Sequence, residues 1–370
     1  MSLKIEARPE ISRELLYVTP VLAVALTVVA GFFIFLLMGY NPLAALYHFF
    51  ISPLTSFYGL SELCVKAAPL ILIGVGLALG FRANVWNIGA EGQLTVGAIA
   101  GGGVALAFWG QEGFWILPLM CAAAILGGMA YAAIPAFLKT RLGVNEILTS
   151  LMLTYVATLF LSMLVYGAWR DPAGFGFPQS RLFTDSALLP IILDGTRLHL
   201  GALVAVLVAI AAWVIMTRTV IGFEIKVVGQ APAAAAYAGF DRNRMIWLCL
   251  LASGGLAGLA GLFEIAGPIG QLIPVLTPGY GFTAIIVAFL GRLHPLGIIA
   301  SGLLMALSYI GGENAQVEVG LPQAVTGVFQ GLLLFFLLAS DFLTRYRIRL
   351  VAAPRAQVAE GGGAERGAAA

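Results

Sequence analysis

The chain has 370 residues, 60% hydrophobic and only 10% charged, with a formal net charge of +2 and a mean hydropathy of +0.97. Soluble domains carry about 25% charged residues, so this chain lacks the polar groups to cover its surface in water, and lipid must be the solvent for much of it. The near-neutral balance argues against a nucleic-acid partner, and Cys64, Cys121 and Cys249, each inside an apolar run, give neither a disulfide framework nor a metal-ligand spacing.

A membrane-spanning helix needs about 20 mostly apolar residues. In chain order, the tail 1–17 mixes Lys4, Arg8 and Arg13 with Glu6, Glu10 and Glu14. The run 18–38 that follows is too long for the apolar core of a signal peptide and reads as the first span. Candidate spans two to five are 62–81, 90–109, 114–138 and 147–168. Between spans two and three lies the polar, glycine-bearing stretch from Arg82 to Gln93, which has two readings. It is an ordinary turn, or it is a broken helix at membrane depth, tolerated there only when buried in protein or lining a water-filled cavity. In the second case Asn87, Glu91 and Gln93 supply hydrogen bonds along a pathway, and Glu91, costly in lipid, is a functional candidate.

A 29-residue loop, 169–197, separates span five from span six at 198–217. The next loop, 218–245, contains Pro232, four consecutive alanines from Ala233 to Ala236, Tyr237 and Gly239. Proline suits a first helical turn, alanine favours helix and glycine suits a C-terminal cap, so a helix of about two turns outside the membrane is expected. It is either a surface connection or an element that docks into a groove on another protein. Span seven, 246–265, carries the small-residue run from Ser253 to Gly261, which suits close helix packing in lipid. Spans eight to ten are 280–290, 296–310 and 321–340, of which the eighth and ninth are short and are either two spans or the two half-helices of a re-entrant hairpin. A Gly/Ala-rich tail, 341–370, is expected to be largely disordered.

Sixteen of the 20 Lys and Arg fall on one side of this ten-span topology if both termini are cytoplasmic. The expected architecture is all-α and polytopic, with spans two to five and seven to ten forming two inverted four-helix repeats. The chain has no Gly-x-x-x-x-Gly-Lys-[Ser/Thr] phosphate loop, so ATP would have to be used by another polypeptide. His48, His199 and His294 stand apart and form no metal-binding or catalytic constellation. An ion-coupled secondary transporter is the competing class, weakened by the lack of an acid–base pair at mid-depth.

Several stretches resemble the permeases of ribose and branched-chain-amino-acid type ABC importers, in particular the longer permease of nucleoside importers that depend on a Bmp-type lipoprotein. These are Phe-Arg-Ala-Asn-Val-Trp-Asn-Ile-Gly-Ala-Glu-Gly-Gln at 81–93, Arg-Leu-Gly-Val-Asn-Glu-Ile-Leu-Thr-Ser-Leu-Met-Leu-Thr-Tyr at 141–155, and the run from Gly222 to Gly239. Pro-Gly-Tyr-Gly-Phe at 278–282 and Leu-Gly-Arg-Leu-His-Pro-Leu-Gly at 290–297 complete the set, and the resemblance covers roughly 62–340. The resemblance implies an import permease, without ATPase activity of its own, for a nucleoside or a related small polar solute, with a simple sugar as the alternative, working by alternating access in a bacterial-type inner membrane. It implies an ABC ATPase that holds the ATP and magnesium, so that no cofactor binds this chain directly. It also implies a second, shorter permease and an extracytoplasmic substrate-binding lipoprotein docking on 169–197. On these motifs the substrate pathway falls at Asn87, Glu91, Gln93, Asn145, Glu146 and Phe282, and the ATPase-coupling surface at Gly229, Pro232, Ala235, Ala236, Tyr237 and Gly239. The family usually carries a charged residue where this chain has Ala236, so docking would lean on packing and on Glu224, Lys226, Arg242 and Arg244. Ala235→Asp is then expected to uncouple ATP hydrolysis from transport in a folded protein.

Overall fold

In lipid every backbone N–H and C=O must be satisfied within the protein, and the apolar runs of this chain answer by forming helices. The structure, a computed structural model, describes residues 2–7 and 13–351. Helix α1 is Arg13–Leu37, followed by the short α2, Pro42–Leu46. Then come α3 Phe57–Arg82, α4 Ala90–Ala107, α5 Ile116–Leu142, α6 Glu146–Tyr166 and α7 Leu200–Arg218. After the surface helices α8 Val220–Gln230 and α9 Pro232–Tyr237 come α10 Arg242–Glu264, α11 Tyr280–Leu290, α12 Pro295–Val319 and α13 Ala324–Arg345. Each of the ten candidate spans falls on one of these helices. Side-chain oxygens of Ser56, Asn145, Thr219 and Asp241 cap α3, α6, α8 and α10, and left-handed glycines close two others, Gly143 after α5 and Gly320 after α12.

Among the described residues, seven helices are long and apolar enough to cross a membrane. This corrects the expectation around 280–310. At 11 residues α11 is a half-helix, about 16 Å long, whereas α12 runs for 25 residues and is long enough to span alone, so the pair is neither two short spans nor two halves of one hairpin. Part of the tail 341–370, expected to be largely disordered, falls within the described residues. Residues 341–345 complete α13 and Tyr346–Val351 (β2) pairs antiparallel with Ser2–Ala7 (β1), a small ribbon in an otherwise helical chain. The rest of that tail, 352–370, lies outside the described residues.

Two four-helix units are visible in the packing. In each, a long helix (α3 or α10) leads through an extended stretch (83–89 or 270–279) into a shorter helix (α4 or α11) and then two more (α5 and α6, or α12 and α13). The contacts match pair for pair: α3 packs on α11 and α12 as α10 packs on α4 and α5, and α4 meets α5 and α6 as α11 meets α12 and α13. The equivalent helices α3 and α10 cross antiparallel, since Gly76 meets Ser253 while Leu79, further along α3, meets Cys249, further back on α10. Two equivalent helices running in opposite directions make the units inverted. The run from Ser253 to Gly261 serves this packing: a Cβ at Gly258 would overlap the main chain of α5, and one at Gly261 the main chain of α4.

Candidate functional site

The stretch after α3 is a broken helix, not a turn between two spans. Asn84 takes a left-handed conformation (φ 57°) and the chain doubles back beside α3. The Asn87 amide then donates to Ser253 Oγ at 2.9 Å. Ser253 lies 11 residues into α10, about 16 Å along it, so Asn87 sits deep between the ends of the helices. Main-chain groups of the extended stretch find side-chain partners, as depth requires. Trp86 N–H donates to Glu146 Oε1 at 3.3 Å, Ile88 N–H to Ser150 Oγ at 3.3 Å and Gly89 N–H to Asn87 Oδ1 at 3.2 Å.

This geometry sorts the expected pathway residues. Asn87 and Gln93 are buried and bonded to each other in both directions, Nδ2 to Oε1 at 2.7 Å and Nε2 to Oδ1 at 3.1 Å. With Ser253 they form a hydrogen-bonded clasp joining 83–89, α4 and α10. Asn145 is an exposed N-cap whose Oδ1 accepts from Ile147 N–H at 2.9 Å. Glu146 is buried, ion-paired with Lys139 and bonded to Trp86, so it fastens the α5–α6 turn to the extended stretch.

Glu91 and Phe282 remain, and they stand together. The first turns of α4 and α11 cross so closely that a Cβ at Gly281 would overlap the Glu91 nitrogen. The Glu91 carboxylate accepts from Gly281 N–H at 2.5 Å and from Thr277 Oγ1 at 2.5 Å. Helix N-termini carry orphan N–H groups and a partial positive charge, and the Glu91 carboxylate, itself in the first turn of α4, caps the N-terminus of α11. Phe282, the next residue of α11, is 39% exposed. Thr277 and Ser253 escaped the sequence reading as site residues. Thr277 directly precedes the quoted Pro-Gly-Tyr-Gly-Phe run, so that motif was its signal; Ser253 had none beyond its place among small residues.

At one end of the molecule α8 and α9 form a knob. Pro232 opens α9 and Gly239 closes it with φ 79°. Pro232, Ala236 and Tyr237 are exposed, Tyr237 at 97%. Ala235 is not: at 3% exposure it faces inward, in a core cluster with Ala83, Val85, Ile225 and Val228. The expectation that Ala235 forms a docking surface is therefore corrected, because the face of α9 that carries it packs on the protein's own interior. Gly229 is half-buried and faces α3, since a Cβ there would overlap the Arg82 carbonyl oxygen at its end.

At the opposite end the 169–197 loop lies across the extended stretch before α11. Ser180 N–H donates to Leu272 O and Leu272 N–H to Ser180 Oγ, each at 2.9 Å. Phe183 N–H donates to Gly270 O at 2.9 Å and Leu189 N–H to Ala266 O at 2.8 Å. Arg197 in this loop ion-pairs with Glu62 of α3, and that carboxylate raises the guanidinium pKa further.

Residues 59–338 match the model of the family described as branched-chain amino acid transport system / permease component. The chain is 39% identical over 358 residues to a glucose ABC transporter permease protein of Haloferax volcanii, covering 94% of both. It is 33% identical over 331 residues to the guanosine ABC transporter permease protein NupP of Bacillus subtilis, covering 88% of this chain and 94% of that one. A second guanosine ABC transporter permease protein of the same organism, NupQ, is 30% identical over 258 residues, covering 67% of this chain and 80% of its own length.

Proposed function

The chain belongs to the branched-chain amino acid transport system permease-component family and is a permease subunit of the ABC type, and on that premise we propose that it forms one half of the pathway of an ATP-driven importer for a nucleoside or a simple sugar. The observation that carries this reading is the crossing of the first turns of α4 and α11 at Glu91 and Gly281, each entered through an extended stretch from a long helix of its own repeat. Transporters built from inverted repeats place their pathway where such broken helices meet. Phe282 and the Glu91–Thr277 pair then flank the route.

The basic residues concentrate at the end that carries α8 and α9, which is the cytoplasmic side by the positive-inside rule. An ATPase, which holds the ATP and magnesium, grips the exposed Pro232–Ala236–Tyr237 face there, with Arg242 and Arg244 alongside. Two permeases of B. subtilis named for the same solute both match this chain, which supports pairing with a second, related permease. A substrate-binding lipoprotein docks on the 169–197 loop at the other face of the inner membrane. Nucleoside and sugar share an uncharged polyhydroxylated ring. The sugar reading is favoured by the 39% identity to the glucose protein, the nucleoside reading by the matches to NupP and NupQ.

The test is ATP-driven uptake by the chain co-reconstituted with its ATPase, second permease and binding protein, with nucleosides and sugars as competitors. Competition by one class and dependence on ATP are expected. Uptake by this chain alone, driven by an ion gradient, would contradict the proposal.

A further inference from the structure

Alternation along the two terminal strands gives their ribbon two unlike faces. β1 and β2 pair antiparallel with Leu3 opposite Leu350, Ile5 opposite Ile348 and Ala7 opposite Tyr346. Residues of a strand alternate between its faces, so these six share one face, apolar apart from the tyrosine hydroxyl. The other face holds Ser2 opposite Val351, Lys4 opposite Arg349 and Glu6 opposite Arg347. It carries three cations and one carboxylate, and like charges placed directly opposite, as at Lys4 and Arg349, destabilise a ladder. A two-stranded ribbon is marginal alone in water. An apolar face and an uncompensated cationic pair both ask for a partner outside the ribbon.

The ribbon's place in the chain says which partner. β2 starts at the residue after α13, whose apolar part, Ala324–Ser340, gives way to Asp341 and Arg345 before the strand begins. Thr19, early in α1, accepts from Arg292 just before α12. Helix α12 then runs antiparallel to α3: Ile298 meets Gly74, and Gly302, further on, meets Ile71. So α12 begins at the Arg82 end of α3, where α8 packs, and α13, which follows directly after 320–323, returns to that end. Both helices that lead into the ribbon therefore meet it on the basic, cytoplasmic side. We infer that the β1–β2 ribbon is an interfacial anchor on the cytoplasmic leaflet, with its apolar face at the acyl-chain boundary and its Lys4–Arg347–Arg349 face among anionic phospholipid headgroups. Amphipathic helices divide their faces in the same way at this interface, and cations beside a membrane span are drawn to the negative potential of the leaflet. The anchor ties α1 to α13 at the membrane surface and needs no contact with solute or ATPase.

Hydrogen exchange tests the inference on the full chain in nanodiscs of phosphatidylcholine alone, or of phosphatidylcholine with phosphatidylglycerol. With the anionic lipid, amides of Ser2–Ala7 and Tyr346–Val351 are expected to exchange at least tenfold more slowly, as several cations beside an anionic surface should give, while those of α3 are unchanged. The triple variant Lys4→Gln, Arg347→Gln, Arg349→Gln should exchange at one rate in both lipids. Raising salt to about 1 M, where the screening length is about 3 Å, should remove the lipid difference in the unsubstituted chain. Equal exchange in the two lipids, or a lipid difference that survives either the triple variant or the salt, overturns the inference. So does slowing that follows added ATPase subunit whatever the lipid, which would make the ribbon a protein-docking surface. Equal slowing by inorganic phosphate with phosphatidylcholine alone overturns it too, by making the ribbon a site for the free anion.

Discussion

Glu91 concentrates the chemistry of this molecule in one carboxylate. It accepts a main-chain and a side-chain donor from the opposite repeat, and charge-assisted bonds of this kind are roughly twice as strong as neutral ones. Glu91→Ala should lower ATP-driven uptake at least tenfold, while Glu91→Gln, whose amide oxygen still accepts from Gly281 N–H, should retain a measurable fraction; equal loss in both would show that the negative charge, and not the hydrogen bond to Gly281, is what the crossing requires, and wild-type uptake in both would show that the crossing is unimportant. Ala235 makes a different prediction. An aspartate there is an unpaired charge in an apolar cluster, costing about 3–5 kcal/mol, so Ala235→Asp should melt markedly lower in detergent. A folded, normally melting variant would contradict the inward placement. His199, just before α7, accepts from Gly201 N–H through Nδ1 at 3.2 Å. Burial pushes its imidazole down from 6.5 to about 4, with the Glu62 carboxylate opposing. Above 6.5 the ring is neutral whether the chain is folded or not. As pH falls from 6.5 toward 4 the unfolded chain takes up the proton first, so stability is lost across that window. Melting curves should show this loss, and His199→Asn, which keeps a capping group, should remove that component. At this scale the sequence was informative about residue type and silent about direction: Asn87, Gln93 and Glu91 share one polar motif, and only the fold tells the Asn87–Gln93–Ser253 clasp from the Glu91–Gly281 crossing.

At the scale of elements, apolar length and caps were legible. All ten candidate runs are helical because lipid leaves an apolar backbone few alternatives. The ends of α11 and α12 were harder to read, since the Gly-Gly and polar residues at 311–316 resemble a boundary although α12 runs on through them. The α9 knob was also visible, from Pro232 and Gly239, but four consecutive alanines carry no periodicity that says which one turns inward. Tyr237, at 97% exposure, is the residue to test for docking. Tyr237→Ala should leave melting nearly unchanged, within about 0.5 kcal/mol as for surface substitutions generally. Recovery of the ATPase with the purified permease should fall severalfold. Full recovery would move the docking surface elsewhere.

For the whole molecule, the inverted plan follows from the packing, whereas sequence similarity between the halves is faint. Helix crossings in lipid ask for small residues at a few positions, and one small residue on one partner is enough: Gly76 on α3 lies against Ser253 on α10, and Gly281 on α11 lies against the Glu91 main chain on α4. The relation between halves is carried by the matching packing of their helices. The account as a whole requires that a separate ATPase drive this chain through the α8–α9 knob. The direct measurement places a photo-crosslinking amino acid at position 237 of the chain in native membranes and identifies what it captures. The account predicts capture of an ATPase subunit, reached from the cytoplasmic side; capture of lipid, or of a protein outside the membrane, would contradict it.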